Sequence, residues 1–405
     1  MKITIIANFV RALDGERDGR FTYLAQEFFN RGYEVELVTS DFYHALKKVR
    51  PEPNYEKYPF TITLCHEPQY SKNVSIKRLY SHYVWGHNVL KYIKSCKRTD
   101  IIYCAIPSLT VASKLATFCK KNSILFVIDI QDLWPEAFLM SLPKNVLTNA
   151  IMSPLKWKAN KSYRAADLII GVSETYVNRA KAVNTKAKHA IPVFLGNDSS
   201  VFDSKKGEYK VERIKDELLL CYVGTMSESY DIPNVLYALR LVNEKKLSTI
   251  PIRFILIGDG SFRAKFESLA SDVYPNTCFL GRKTYTEMAA LLASCDIAIN
   301  PIRKGSAASV INKVGDYALA GIPVINTQES VEYQTLVSRY SCGINCENDN
   351  VESIANAIVT IASDSVLRRQ MGIASRKLAM EKFNRSTTYR NILDAVDELV
   401  KEFEI

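Results

Sequence analysis

With 405 residues, 47% of them hydrophobic and 24% charged, the chain fits two domains of roughly 200 residues each and has the composition of an ordinary folded protein. No run of eighteen apolar residues occurs, which argues against a transmembrane helix, and the apolar start MKITIIANFV is too short for a signal peptide and reads as a buried strand. Charge is uneven: residues 1–202 hold 28 Lys and Arg against 17 Asp and Glu, while residues 203–405 hold 25 against 26. The N-terminal half is therefore expected to face an anionic partner. Nine scattered cysteines, odd in number and mostly within apolar runs, read as free core thiols in a reducing cytoplasm. Cys342 and Cys346 are close, but no His or third Cys accompanies them, so no zinc site is expected.

In the N-terminal half strands are expected at 2–8, 34–39, 60–64, 101–104, 124–129 and 168–172, with helices between them, including 20–31 and 108–121. The loop VRALDGERDGRF after the first strand places Gly15 and Gly19 before the helix at Arg20. After the second strand, His44 sits in a basic aromatic cluster with Lys47, Lys48 and Arg50, where it is either an acceptor contact or a polar surface residue. The segments Lys72–Arg98 and Lys156–Arg164 interleave cations with Trp and Tyr, a composition that suits an anionic bilayer or a lipid pyrophosphate. Stacking aromatics with cations also bind single-stranded nucleic acid, but no nucleic-acid fold signature accompanies them, so no such partner is expected.

Asp129, Gln131, Asp132 and Glu136 lie in DIQDLWPE, at the carboxyl end of the fifth strand, where α/β enzymes place ligand groups. The alternative is a loop whose acidic residues cap the next helix, since Pro135-Glu136 suits a first turn. Residues 192–198 read as a strand and turn closing a first domain, 1–202, followed by a polar linker over 198–209.

The second domain, 203–385, repeats the alternation with strands at 218–224, 253–260, 278–281, 296–300 and 323–326. Two such runs imply two doubly wound parallel sheets, each covered by helices. A strand ending at Gly224-Thr225 lets backbone approach a phosphate closely. Gly258 and Gly260 end the next strand, and Gly281-Arg282 the one after. Beyond Asn300-Pro301 and a small-residue loop, a helix is expected in which Ser309, Asn312, Lys313 and Asp316 share a face. Its N-terminus would favour phosphate, with Lys313 adding a full charge and Asp316 offering acceptors to a sugar diol. The bland alternative is a solvated face with a chance charge pair. No Walker lysine motif is present. The last helix, about Ser386 to Phe403, is amphipathic through Tyr389, Ile392, Leu393, Val396 and Leu399.

The stretch DIAINPIRKGSAASVINKVGDYALAGIPVI (296–325) resembles the donor site of the family 4 retaining glycosyltransferases, enzymes of the GT-B architecture. The resemblance extends over essentially the whole chain. It implies two Rossmann-like domains facing a cleft, acceptor domain first and donor domain second, with the 386–405 helix crossing back onto the first. It implies that Asp316 holds a ribose, that Gly258 and Gly260 border the nucleotide and that the loop at Arg282 lies beside the base. Where relatives carry a sugar-binding Glu, this chain has Ala308; where many carry His, it has Gln131. A neutral amide cannot accept a proton, which leaves Asp132 or Glu136 for any such role. DLWPE is similar to a subgroup, including aminodeoxyhexose transferases, that builds bacterial surface polysaccharides such as O-antigen and capsule.

The expectation is a retaining, metal-independent transferase without a cofactor. It would move a sugar from a UDP-linked donor to a lipid-linked saccharide, as a cytoplasmic protein peripheral at the inner face of the membrane. Its catalytic residues would be Asp132, Lys313 and Glu136. Gly224, Thr225, Gly258, Gly260, Arg282, Ser309, Asn312, Lys313 and Asp316 would bind the donor, and Gly19, His44, Asp129 and Gln131 the acceptor. A sugar-nucleotide 2-epimerase of the same architecture and a non-catalytic nucleotide-sugar-binding subunit are the alternatives.

Overall fold

A computed structural model of the chain describes residues 1–14, 19–73, 75–96, 98–139, 145–187, 189–214, 216–306 and 309–404. Gly15, Ala307 and Ala308 lie outside them. The chain divides into two compact units, Met1–Val193 with Tyr389–Ile405, and Phe194–Thr388.

The first unit holds strands β1 (Lys2–Ile6), β2 (Glu34–Ser40), β3 (Phe42–Tyr43), β4 (Lys48–Val49), β5 (Thr61–Cys65), β6 (Ile101–Ile106), β7 (Leu125–Ile130), β8 (Leu168–Gly171) and β9 (His189–Pro192). Helices α1 (Arg20–Asn30), α2 (Ile76–Ser95), α3 (Leu109–Asn122), α4 (Glu136–Leu139), α5 (Val146–Ala165) and α6 (Glu174–Lys181) alternate with them. Seven strands form a parallel sheet in the order β5-β2-β1-β6-β7-β8-β9, and β3 and β4 form a separate antiparallel ribbon. Every residue of β6 and β7 is buried. Parallel strands covered on both faces read as unbroken apolar runs for this reason. The closing strand is 189–192, paired in register with β8, rather than 192–198.

The second unit begins with α7 (Ser199–Asp203), in the segment expected to be a linker. Phe202 on this helix is buried in the second unit's core, which is why the units part at 193/194 instead of 202/203. Strands β10 (Leu218–Val223), β11 (Ile252–Ile257), β12 (Thr277–Gly281), β13 (Ile297–Asn300), β14 (Val324–Asn326) and β15 (Gly343–Asn345) follow. They form a parallel sheet in the order β12-β11-β10-β13-β14-β15. Helices α8 (Ile232–Glu244), α9 (Arg263–Val273), α10 (Tyr285–Ala293), α11 (Lys313–Ala320), α12 (Val331–Tyr340), α13 (Val351–Ser363), α14 (Ser365–Leu378) and α15 (Arg385–Thr388) connect and cover them. Along β10, Leu218, Leu220 and Tyr222 enter one core while Leu219, Cys221 and Val223 enter the other, so each face of the sheet has its own helical cover. The strand order reverses direction between β10 and β13, and ligands of open α/β sheets bind outside the carboxyl ends at such a point.

The last helix, α16 (Arg390–Glu404), belongs to the first unit. Tyr389, Ile392, Leu393, Val396 and Leu399 are buried against α1 and the strands, each contributing roughly 1.5–3 kcal/mol of burial. Arg31 pairs with Asp394 and Asp397, and Tyr33 donates to Asp397 at 2.6 Å.

Candidate functional site

In the second unit, four segments converge at the carboxyl ends of β10, β11 and β13. Gly224 follows β10 with φ +147°, and a Cβ there would stand 1.8 Å from Lys313 Nζ. Gly258 follows β11 with φ +143°, and its Cβ would stand 1.9 Å from the Gly224 carbonyl oxygen. Both positions need glycine for conformation, and at Gly258 neighbouring backbone also leaves no room for a side chain. The loops are laced by backbone bonds: Gly224 N–H to Ile257 O (2.9 Å), Met226 N–H to Asp259 O (2.9 Å) and Phe262 N–H to Met226 O (3.1 Å). Asp231 N–H donates to Pro301 O at 2.8 Å and Arg303 N–H to Ser229 O at 3.0 Å, fastening the loop after β10 to the loop after β13.

Lys313 is held in this frame. Its Nζ donates to the Tyr222 hydroxyl at 3.1 Å and lies 3.7 Å from the Tyr230 ring centroid. Tyr222 in turn donates to Thr225 O at 2.8 Å. Burial lowers the ammonium pKa to about 7, and Asp316 pulls the other way. No carboxylate lies within ion-pair distance of Lys313 among the described residues. The aromatic partners Tyr222 and Tyr230 were not foreseen. Tyr222 lay hidden inside the core strand LLLCYV, and Tyr230 lies in the loop that follows it.

The helix carrying Lys313 starts at Lys313 itself, four residues later than its periodicity implies. Ser309 therefore does not share a helix face with Lys313 and Asp316. In a helix beginning at Ser309, that residue's carbonyl would accept from Lys313 N–H; here it accepts from the Gln328 side chain. Gln328 belongs to a row of buried amides across neighbouring strand ends. Asn300 donates to Asn326 at 2.9 Å and to Gln328 at 3.2 Å, and Asn326 donates to Asn345 at 2.9 Å. Asn300, Asn326 and Asn345 stand in register on adjacent strands. Ser309 Oγ and Asn312 Oδ1 are buried without a hydrogen-bond partner among the described residues, although buried polar atoms are normally paired.

Asp316 is buried in the first turn of α11, where its Oδ1 accepts from Asn197 Nδ2 (2.7 Å) and Tyr285 OH (2.8 Å). These bonds tie the start of the second unit and α10 to α11, so this oxygen is committed to structure. Gly260 N–H is held by its neighbour Asp259 at 2.8 Å, and Thr225 and Arg282 are exposed.

In the first unit the structure separates the acidic residues of 129–136. Asp129 has no exposed surface. It accepts from Arg20 Nε (2.7 Å), Arg20 Nη2 (3.2 Å), Tyr103 OH (2.6 Å) and Gln131 Nε2 (2.6 Å). This corrects the expectation for Asp129, whose carboxylate is the counter-ion of a buried arginine; half-buried Gln131 donates an amide N–H to it. Glu136 is ion-paired with Arg179 in the first turn of α4, which matches the capping alternative. Gly19 precedes α1, its N–H donating to Thr22 Oγ1 at 2.8 Å.

Asp132 is different. It is half-buried, and it accepts from the Trp134 indole N–H at 3.0 Å. Burial raises its pKa above the ordinary carboxylate value, against the Trp134 hydrogen bond and the charge of Arg78. His44 lies in the turn between β3 and β4, its Nδ1 2.6 Å from the Tyr70 hydroxyl and 2.9 Å from Lys47 Nζ. Burial, then Lys47 and Arg78, hold its pKa down at about 4, so the ring is neutral near pH 7.

All nine cysteines are free. Among the described residues no group of three His, Cys, Asp or Glu side chains could hold a metal ion, and no helix is long and apolar enough to cross a membrane.

Residues 217–364 match the family model described as Glycosyl transferases group 1. Over 381 residues the chain is 20% identical to N-acetyl-alpha-D-glucosaminyl L-malate synthase of Bacillus anthracis, covering 89% of this chain and 88% of that protein. Over 128 residues it is 27% identical to a GDP-mannose-dependent monoacylated alpha-(1-6)-phosphatidylinositol monomannoside mannosyltransferase of Corynebacterium glutamicum. That match covers 31% of this chain and spans about a third (33%) of the mannosyltransferase. The crystal structure of Anabaena Alr3699/HepE in complex with UDP superposes with a TM-score of 0.70 at 15% identity, covering 98% of this chain and 100% of that one. The chain thus has the two-domain, Rossmann-like GT-B fold, and the residues that match the glycosyl transferases group 1 model, 217–364, lie within its second unit.

Proposed function

We propose that the protein is a retaining glycosyltransferase that moves a sugar, N-acetylated or deoxy, from a UDP-sugar to a lipid-linked saccharide in bacterial surface-polysaccharide synthesis. The observation that carries this reading is Lys313: an ammonium fixed against Gly224 by two tyrosines at the sheet's switch point, without a carboxylate counter-ion among the described residues. A nucleoside diphosphate supplies the missing anion, and Ser309 Oγ and Asn312 Oδ1 are unsatisfied polar atoms close to it in sequence. No metal is part of the proposal. Charge developing on the leaving diphosphate is met by a preorganised cation in a site that excludes much of the water, the mode in which electrostatics acts most strongly. In the first unit any proton-accepting role falls to Asp132, since Asp129 and Glu136 are bound to arginines.

The acceptor side rests on surface chemistry. On α2, Ile76, Leu79, Tyr80 and Tyr83 are exposed at helical spacing, and on α5 so are Val146, Leu147, Ile151 and Trp157. Both helices pack on α3. Lys156, Lys158, Lys161 and Arg164 add the cations of an interfacial surface, with Lys161 Nζ 5.1 Å from the Trp157 ring. Peripheral attachment to an anionic membrane brings a lipid-linked acceptor within reach.

A thermal-shift panel of UDP-, GDP- and dTDP-sugars tests the donor. UDP is expected to stabilise most, and GDP is the competitor because the mannosyltransferase relative is named for GDP-mannose. With donor and acceptor in hand, Asp132→Asn should lower turnover tenfold or more while leaving UDP affinity unchanged. Wild-type turnover in that variant would remove Asp132 from the chemistry.

A further inference from the structure

Four segments of the first unit, each following the carboxyl end of a parallel strand, meet the first turns of α2. Phe9 follows β1, the His44–Lys47 turn follows β2 and β3, Glu67 and Tyr70 follow β5, and Asp132 and Trp134 follow β7. From α2 come Arg78, Ser81 and His82. The rings pack as one cluster: Phe9 with His44 (centroids 4.7 Å apart), Phe9 with His82 (5.6 Å), His82 with Trp134 (5.4 Å) and Phe42 with Tyr70 (4.8 Å).

Two cations sit in this cluster. The Arg78 guanidinium lies 4.6 Å from the Trp134 ring centroid and 5.5 Å from that of Phe9, and Lys47 Nζ lies 4.9 Å from that of Tyr70. Their hydrogen bonds go to neutral groups: Arg78 to Asn73 O (2.6 Å), and Lys47 to the Asn73 side chain (2.6 Å) and the His44 ring. Among the described residues neither has a carboxylate within ion-pair distance. Glu67, the buried acid nearby, is held by Asn8 at 2.8 Å and Ser81 at 2.7 Å. Three buried nitrogens, Arg78 Nε and both ring nitrogens of His82, have no hydrogen-bond partner among the described residues, and His82 is only 3% exposed. Half-buried cations with orphaned donors are what a bound anion satisfies. The half-exposed members Phe9, His44, Lys47, Arg78 and Asp132 leave the cluster open to solvent.

We propose that Arg78 and Lys47, on the aromatic floor of Phe9, Tyr70 and Trp134, form a subsite for an acidic group of the acceptor, a carboxylate or a phosphate. The arginine fork supplies paired donors to two oxygens, the lysine supplies a point charge, and the rings flank the attached sugar. This inference rests on the acceptor reading of the first unit and narrows it from any saccharide to one bearing an anion beside a sugar ring. A uronic acid and a sugar phosphate both present that chemistry. The exposed apolar stripe of α2 shares its helix with Arg78, and this places the subsite next to the surface that would meet a lipid.

The test is direct binding, followed by Trp fluorescence and calorimetry, of three probes: p-nitrophenyl β-D-glucuronide, glucose 1-phosphate and neutral p-nitrophenyl β-D-glucoside. At least one anionic probe should bind tenfold or more tighter than the neutral glycoside, and Arg78→Gln should erase that preference. Lys47→Gln, at a half-exposed turn, should weaken the same probe severalfold and keeps the test available if Arg78→Gln misfolds. Preference for the glucuronide assigns the anion to a carboxylate, and preference for the sugar phosphate assigns it to a phosphate. Equal binding of all three probes, or an anion preference that survives both substitutions, overturns the subsite. UDP binding is measured in parallel, so loss of UDP affinity in the wild type would count against the transferase reading instead.

Discussion

The strand ends of the two units are built from different materials. In the second unit, backbone and neutral side chains dominate: two glycines at positive φ, loops laced by peptide hydrogen bonds, a row of asparagines, and one lysine boxed by tyrosines. In the first unit, charged and titratable side chains fill the same topological position: Lys47, Arg78, His44, His82, Glu67 and Asp132, packed among rings. A backbone-built frame suits a ligand part that never varies, such as a diphosphate. A frame of side chains can be altered one residue at a time, as a variable acceptor requires. The buried Asp129–Arg20 pair of the first unit shows that not every strand-end carboxylate belongs to its frame.

The largest effect should come from that pair. Asp129→Ala leaves a buried guanidinium without its counter-ion, and urea denaturation should show a loss of about 3–5 kcal/mol. Unchanged stability would mean that the carboxylate serves a ligand instead, and the line drawn between frame and site would fail. Next in size is the charge asymmetry. Replacing Lys156, Lys158, Lys161 and Arg164 with Gln should reduce co-sedimentation with anionic vesicles, by up to about 1 kcal/mol for each residue that reaches the surface. UDP affinity should stay unaltered, and added salt should weaken the wild-type association. Indifference of the wild type to anionic lipid at low salt would refute the membrane role of the first unit.

A smaller effect distinguishes the two frames by pH. Lys313 has its pKa lowered to about 7 in the free protein, and only the protonated form carries the charge that a diphosphate needs. Above that value UDP binding must draw a proton back onto Lys313, so affinity should fall as pH rises, by up to about tenfold (about 1.4 kcal/mol) per unit. A window of about pH 7.5–9 lies above the second phosphate ionisation, near pKa ~6, so the change belongs to the protein. Calorimetry in buffers of different ionisation enthalpy should detect the proton uptake, and Lys313→Arg should abolish it. His44, held down at about 4, does not titrate in this window.

The fold and the second unit's frame were legible for one physical reason. Buried parallel strands such as LLLCYV and IIYCAI are unbroken apolar runs, and the glycines that end β10 and β11 follow them directly in sequence. The start of α11 was not legible, because Ser309, Asn312, Lys313 and Asp316 have helical spacing while the Ser309 carbonyl is captured by Gln328, nineteen residues away. The roles of Asp129 and Glu136 depend on Arg20 and Arg179, whose proximity only the folded sheet creates. The Phe9–His44–Arg78–His82–Trp134 cluster draws on segments more than a hundred residues apart; His44, the basic aromatic segment 72–98 and DIQDLWPE each stood out locally, but nothing in the sequence joined them.

The central claim is that the second unit's frame binds a nucleoside diphosphate through Lys313. Titrating UDP calorimetrically into wild type and Lys313→Ala, with folding stability checked in parallel, tests it most directly. The account predicts measurable wild-type binding that weakens in the variant by about 1.5–3 kcal/mol, the scale of a lost charge-assisted hydrogen bond. Equal UDP affinity in the two folded proteins would contradict it.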